Sequence, residues 1–336
     1  MSVLQFSRRR EVLAEPMPLA VELEQPFPFR EVADNDLASD QPSKPKFKLS
    51  QSLRRALIAF GLLVAALAYP ASVIMATKLG GPLMAPDNLR QNWSVQWVGV
   101  GVHLITQEMQ ENGWAPGAQS WKPEARLTAK PAYQSALMQA LGSYASLVSS
   151  QSGPEGDSDL NTVGRVLAGR IGVDEVRAAR TALESYDARV RIHRASSDLS
   201  AKHFAERILL TADWTKASSK ELITLNRTTD DVLSEKVSAA VYRARARGAA
   251  AFSLLSVQAD GFRAHDIEPL RLEALNALEK IANFEPFFVL NGAPDGSVAP
   301  SHVAGMYFLL AQAEVALEAY AEKLTQGPIA QGGAAG

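Results

Sequence analysis

Ser301–Thr325 reads SHVAGMYFLLAQAEVALEAYAEKLT, and its apolar positions Val303, Met306, Leu310, Ala313, Leu317, Tyr320 and Leu324 recur at alternating steps of three and four residues. On a helix with 3.6 residues per turn, that spacing draws one continuous apolar stripe along one side. Such a stripe is stable only against another helix, so this segment predicts a helical bundle.

Residues 174–192 repeat the pattern with Val176, Ala179, Leu183, Tyr186 and Val190, and the opening Asp174-Glu175 suits the positive end of a helix dipole. Three further stretches carry it: Tyr133, Leu137, Leu141, Tyr144 and Val148; Leu233, Val237, Val241, Ala244, Gly248, Phe252 and Leu255; and Leu270, Ala274, Leu278 and Ile281. Breakers separate them. Gly153-Pro154-Glu155-Gly156 divides two stretches, Gly261 ends another, and Asn291-Gly292-Ala293-Pro294-Asp295-Gly296 is a turn cluster. About seven or eight helices are expected in all. The strand-like run Val98-Gly99-Val100-Gly101-Val102 reads better as a helix with Trp93, Trp97, Val100 and Leu104 on one face. Trp93, Trp97, Trp114 and Trp121 are expected in the core rather than in a membrane-interface belt.

Nearer the N-terminus, Ala56–Thr77 runs ALIAFGLLVAALAYPASVIMAT without a charge. As a helix it measures roughly 33 Å, which matches a hydrocarbon core of about 30 Å, and Pro70 is tolerable there as a kink. Lys44, Lys46, Lys48, Arg54 and Arg55 precede the stretch, whereas only Lys78 and then Arg90 follow it closely, so the N-terminus is expected in the cytoplasm. About fifty polar residues come first, which favours an uncleaved anchor over a signal peptide. Ser7-Arg8-Arg9-Arg10 stands too far from the apolar run to be a twin-arginine export signal.

The expected fold class is all-α, with one transmembrane helix followed by a periplasmic multi-helix bundle. Residues 1–52 are expected to be a disordered cytoplasmic tail, 53–77 the transmembrane helix, 78–326 the periplasmic helical domain, and 327–336 a disordered C-terminal tail. The tail's scattered prolines and acids cannot bury enough apolar surface to offset chain entropy. Pro26-Phe27-Pro28-Phe29 within it is either a docking peptide for a cytoplasmic partner or an unselective linker. The expected location is the bacterial inner membrane, single-pass.

With 336 residues and no cysteine, the chain has room for a sizeable core but no disulfide framework, thiolate zinc site or cysteine nucleophile. A net charge of -2 gives no drive toward nucleic acid. His103, His193, His203, His265 and His302 show no metal-ligand spacing, and no phosphate-cradling Gly loop, nucleophile elbow or His-Glu-x-x-His is present. No metal and no cofactor is expected. Carboxylates pair at helical spacing in Glu108 with Glu111, Glu184 with Asp187, and Glu314 with Glu318, where a solvated face is the expected environment. Arg243, Arg245 and Arg247 form a basic cluster with Arg243 and Arg247 on one face; it suits either an anionic partner or acids within the bundle such as Asp230, Asp231 or Asp260. Ser301 is placed to cap the last helix, with His302 in its first turn. The candidate interaction residues are Asn291 and Asp295 of the turn cluster, His302 beyond it, and Arg243 and Arg247.

The run Phe284-Glu285-Pro286-Phe287-Phe288-Val289-Leu290-Asn291-Gly292-Ala293-Pro294-Asp295-Gly296, then Pro300-Ser301-His302 and Tyr307-Phe308-Leu309-Leu310, resembles the closing motif of an uncharacterised bacterial inner-membrane family, domain of unknown function 2333. Asn112-Gly113-Trp114-Ala115-Pro116 resembles that family's other familiar stretch. The likeness covers residues from about 100 to 325 and leaves the tail outside. It departs at Ser301-His302, where an Asn-His pair is expected, and at Ala311-Gln312, where an arginine is expected. The resemblance implies an anchored envelope protein and carries no reaction, so no catalytic residue follows from it.

The function expected is that of a membrane-anchored envelope interaction or scaffold protein without catalytic activity, partnered by the inner-membrane bilayer and an envelope protein. The alternative is an enzyme acting on envelope glycan or lipid, or a ligand-binding helical domain, with its pocket between helices. Relay of a periplasmic event to the tail is a third course. The oligomeric state stays open.

Overall fold

The computed structural model describes residues 92–118, 127–197, 200–228, 234–262, 266–286, 289 and 301–326, with scattered positions between 51 and 79. Among the described residues between 96 and 326, eight α-helices follow one another: α1 Gln96–Thr106, α2 Ala129–Gln151, α3 Ser158–Leu167, α4 Val173–Arg191, α5 Ala201–Thr228, α6 Glu235–Ala259, α7 Glu268–Ala282 and α8 His302–Gln326. Among the described residues there is no strand, so this part of the chain is all-α. The run at Val98–Val102 is helical, within α1.

The apolar stripes decide how these helices face. All seven stripe residues of α8, from Val303 to Leu324, are buried, and so are Val176, Ala179, Leu183 and Tyr186 of α4. Tyr133, Leu137, Leu141, Tyr144 and Val148 of α2 are buried on the same principle. Each large apolar side chain so removed from water contributes about 1.5–3 kcal/mol, which is what holds a cysteine-free bundle together. Trp97 joins this core and Trp93 and Trp114 pack against it, while Trp121 lies outside the described residues.

α5 lies along α8 and also against α6; α6 packs on α2 and α7; α2 on α3, α3 on α4, and α1 fits between α4 and α6. α6 is the central helix, and its run of small residues explains how it can be. Ala244, Ala246, Ala249, Ala250 and Ala251 bury nearly every side of it. At Gly248 the fit is closest, since a Cβ there would come within 2.4 Å of Ile281 Cγ2 on α7.

The helix ends are fixed by short-range chemistry. Asp157 caps α3 by accepting the N–H groups of Asp159 and Leu160, and Arg189 of α4 donates to both carboxylates at 2.7 Å. Glu175 accepts the N–H of Gly172 at the start of α4, and Ser301 Oγ accepts that of Ala304 at the start of α8. The turn between α2 and α3 places Gly153 and Gly156 at φ of 133° and 69°, a region that L side chains rarely adopt.

Two of the acidic pairs are not simply solvated. Asp187 and Glu108 are buried, each 1% exposed. Asp187 accepts the N–H of Val95, and Glu108 accepts from the Gln134 and Asn112 amides. Helical spacing marks which residues share a face, but a short turn just outside the helix can cover that face with backbone donors. Here Gln134 also accepts the N–H of Ala115 and donates to the Gly113 carbonyl, so Asn112-Gly113-Trp114-Ala115-Pro116 folds around a polar core. Glu314 and Glu318 do stay near solvent and share Lys216 at 3.3 and 3.8 Å.

Among the described residues no helix is long and apolar enough to cross a membrane. Most of 56–77, and nearly all of the tail 1–52 and of 327–336, lies outside them.

Candidate functional site

Five segments converge around a cavity of 520 Å³: the residues leading into α1, the end of α2, Tyr186 of α4 with the loop that follows, the first turns of α5, and the end of α6. Trp97, Val148 and Val257 supply apolar wall, and the exposed Ser94, Ser152, Ser196 and Ser197 form a polar rim. Among the described residues no Asp or Glu lines it.

Arg207 of α5 is the chemical centre of this cavity, since it is only 3% exposed and has no carboxylate partner among the described residues. Its Nε donates to Gln151 Oε1 at 2.9 Å and its Nη1 to Gln258 Oε1, and its guanidinium lies over the Tyr144 ring at 5.9 Å. These acceptors are neutral, so they meet part of the hydrogen-bonding demand and none of the charge. The nearest carboxylate in the network is one amide away, where Gln151 Nε2 donates to Glu206 at 2.9 Å and to the His203 carbonyl at 3.0 Å. A buried cation left in this state is costly, and an anion entering the cavity would relieve it.

His203 lies one turn before Arg207 and lines the same cavity, and its buried Nδ1 has no partner among the described residues. The first turn of α5 adds the positive end of a 28-residue helix. Tyr186 donates its hydroxyl to the Ser196 carbonyl at 2.7 Å, fixing the rim loop, and burial pushes its phenol up to about 12, with the Asp157 charge adding to the rise. Burial raises the Tyr144 phenol as well, against the opposing pull of Arg207. Both therefore remain neutral hydroxyls at ordinary pH.

Those residues singled out from the sequence that the structure describes fall elsewhere. Arg243 and Arg247 of α6 converge on Glu221 of α5: Arg243 donates to Glu221 Oε1, and Arg247 stands 3.8 Å from Oε2 while donating to Ser218 Oγ at 2.9 Å. Burial lowers the Arg247 guanidinium, with Glu221 opposing that effect. Arg245 between them is buried and donates to the Ala282 carbonyl and Glu285. His302 opens α8 with its ring edge-on to Phe284 at 6.2 Å. Asn291 and Asp295 lie outside the described residues.

Sequence reasoning passed over Arg207 and took His203 only as a histidine without metal-ligand spacing, yet one signal was there. Phe204, Ile208, Thr211, Thr215, Ser218 and Leu222 form the buried stripe of α5, and Arg207 is buried beside it. Three of those positions are hydroxyl-bearing, and Thr211, Thr215 and Ser218 donate to carbonyls of their own helix at 2.7–2.8 Å. The polar residues blur the apolar period and hide the arginine embedded in it.

No family model, no curated protein and no solved structure matches this chain.

Proposed function

We propose that this protein is a membrane-anchored, ligand-binding helical domain that takes an anionic group of a small molecule, a phosphate or carboxylate, in the cavity around Arg207. The observation that carries this reading is the buried Arg207 guanidinium, whose partners among the described residues are neutral side chains. A cavity of 520 Å³ falls within the range of small-molecule sites, and its Trp97, Val148 and Val257 wall suits the organic body of such a ligand. Binding is favoured over hydrolysis because the described lining residues include no Asp or Glu to form an acid and base pair.

Anchoring belongs to the same reading. The uncharged run Ala56–Thr77 supports it, and so do Ile58, Phe60, Leu63 and Val64, which are helical and exposed, as a lipid-facing segment requires. The excess of Lys and Arg before that run favours a cytoplasmic N-terminus and a domain on the outer side of an inner membrane. Membership of the uncharacterised inner-membrane family is part of the proposal and adds no reaction to it.

The test is thermal unfolding of the purified full chain in detergent, with and without inorganic phosphate and, separately, glycerol 3-phosphate and citrate. A ligand at a hundred times its Kd adds about 2.7 kcal/mol to stability, so a concentration-dependent rise in Tm is expected, lost in Arg207→Met. No rise with any probe up to about 10 mM, which covers affinities down to the millimolar range, would overturn the reading, as would an equal rise in Arg207→Met. A reporter fused after Gly336 and active only in the cytosol would remove the outer placement without touching the pocket.

A further inference from the structure

α7 and α8 lie antiparallel. Phe284, just past the end of α7, meets His302 at the start of α8, and Asp266, just before α7, pairs with Lys323 near the end of α8 at 3.0 Å. With the same rise per residue in both helices, these contacts set Asn276 of α7 level with about Gln312 of α8.

Their outer face is a groove of 720 Å³ with large apolar groups left in solvent: Leu272 is 45% exposed, Phe308 61% and Val315 68%. Glu273 and Lys280 line the same groove from α7, both exposed, and neither has an ion-pair partner among the described residues. The face is complementary to itself when turned end for end. On α7, Glu273 and Lys280 stand symmetrically about the Asn276-Ala277 pair; on α8, Phe308 and Val315 stand symmetrically about Ala311-Gln312. Because the two midpoints are level, one axis can pass through both.

We propose that a second copy of this chain docks on this face about a two-fold axis crossing Asn276-Ala277 and Ala311-Gln312. A two-fold interface demands that a patch be its own complement, and this one is. α7 then lies antiparallel on its counterpart and α8 on its own, Phe308 of each copy covers Val315 of the other, and the Glu273 to Lys280 ion pair forms twice. The small side chains Ala277 and Ala311 near the axis allow close helix approach. A partner of another kind would need an opposite-signed pair at matching spacing, whereas a second copy supplies it by symmetry.

The face spans roughly 20 Å along α7 and about 20 Å across two helices, or about 400 Å² per chain, half of a standard interface. The dimer is therefore weak in dilute solution and relies on a high local concentration. It does not rest on the anion-binding reading.

The chain has no cysteine, so a single introduced thiol reports the geometry without interference. Asn276→Cys and Gln312→Cys each place a thiol beside the axis, facing its own copy within disulfide reach for closely packed helices. Arg177→Cys, on an exposed part of α4, is the control. The full-length variants are oxidised with copper phenanthroline in the cells that make them and run on non-reducing gels. Both axis thiols are expected to give a dimer band about tenfold or more above the control, and Phe308→Asp or Glu273→Lys, added to either, to remove most of it. Adding Lys280→Glu to Glu273→Lys should bring the band back. Bands no stronger than the control would overturn the proposal. So would bands indifferent to Phe308→Asp, a charge swap that does not restore them, or capture of a different protein in place of the second copy.

Discussion

The carboxylate of Asp187 accepts the backbone N–H of Val95 at 2.8 Å, tying α4 to the residue that precedes α1. A second bond, from the exposed Arg191 at 3.0 Å, occupies its other oxygen. An acid that helical spacing assigns to a solvated surface thus satisfies a buried donor at the edge of the cavity.

Asp187→Ala leaves the Val95 N–H buried and unpaired, and should cost about 2–3 kcal/mol. Asp187→Asn keeps an acceptor and loses only an ion pair with a largely exposed arginine, so it should cost about 1 kcal/mol or less. Urea unfolding followed by tryptophan fluorescence separates the two. Equal losses would assign the effect to charge instead of to the accepted N–H.

Arg207→Met should cost no more than about 1–2 kcal/mol in the absence of ligand, because the Gln151 and Gln258 oxygens it leaves unpaired are offset by removal of a buried charge with no carboxylate partner among the described residues. A guanidinium that served the fold would instead cost about 3–5 kcal/mol on removal. The same unfolding curves decide between these outcomes.

Gly248→Ala drives a methyl group into Ile281, whose Cγ2 would lie 2.4 Å away, and is expected to cost about 1–3 kcal/mol. Ile281→Ala costs about 2–5 kcal/mol by itself through the cavity it leaves. Combined, the two losses should add to less than their sum, since the new methyl group enters the space vacated. At Gly169, where a Cβ would meet nothing within 4 Å, the same change should be neutral.

Alkaline pH should weaken the fold through its buried phenols. Tyr186 is pushed up to about 12, and burial raises Tyr133, Tyr144 and Tyr242 as well. A raised phenol favours the protonated form in the folded state, so its contribution is complete below about pH 10 and is lost as pH climbs through the folded value. For Tyr186 the loss across that window is on the order of 2–3 kcal/mol. Tm measured from pH 8.5 to 11.5 should fall above about pH 10, and fall less steeply in Tyr186→Phe.

Residue spacing alone was enough to place the helices and their inward faces. The stripes on α2, α4, α6, α7 and α8 were legible because helical period is a local property, and burial followed the stripe at Tyr133, Leu183, Val241, Leu278 and Leu317 alike. The caps at Ser301 and the glycine turn after α2 were readable for the same reason. Which charges are buried was settled by long-range packing. Arg207 depends on Gln151 and Gln258, acceptors on two other helices, and Arg243 and Arg247 meet in Glu221 of α5. A side chain's exposure and its counter-charge are set by whichever segments arrive beside it, and no periodicity within one helix encodes that arrival.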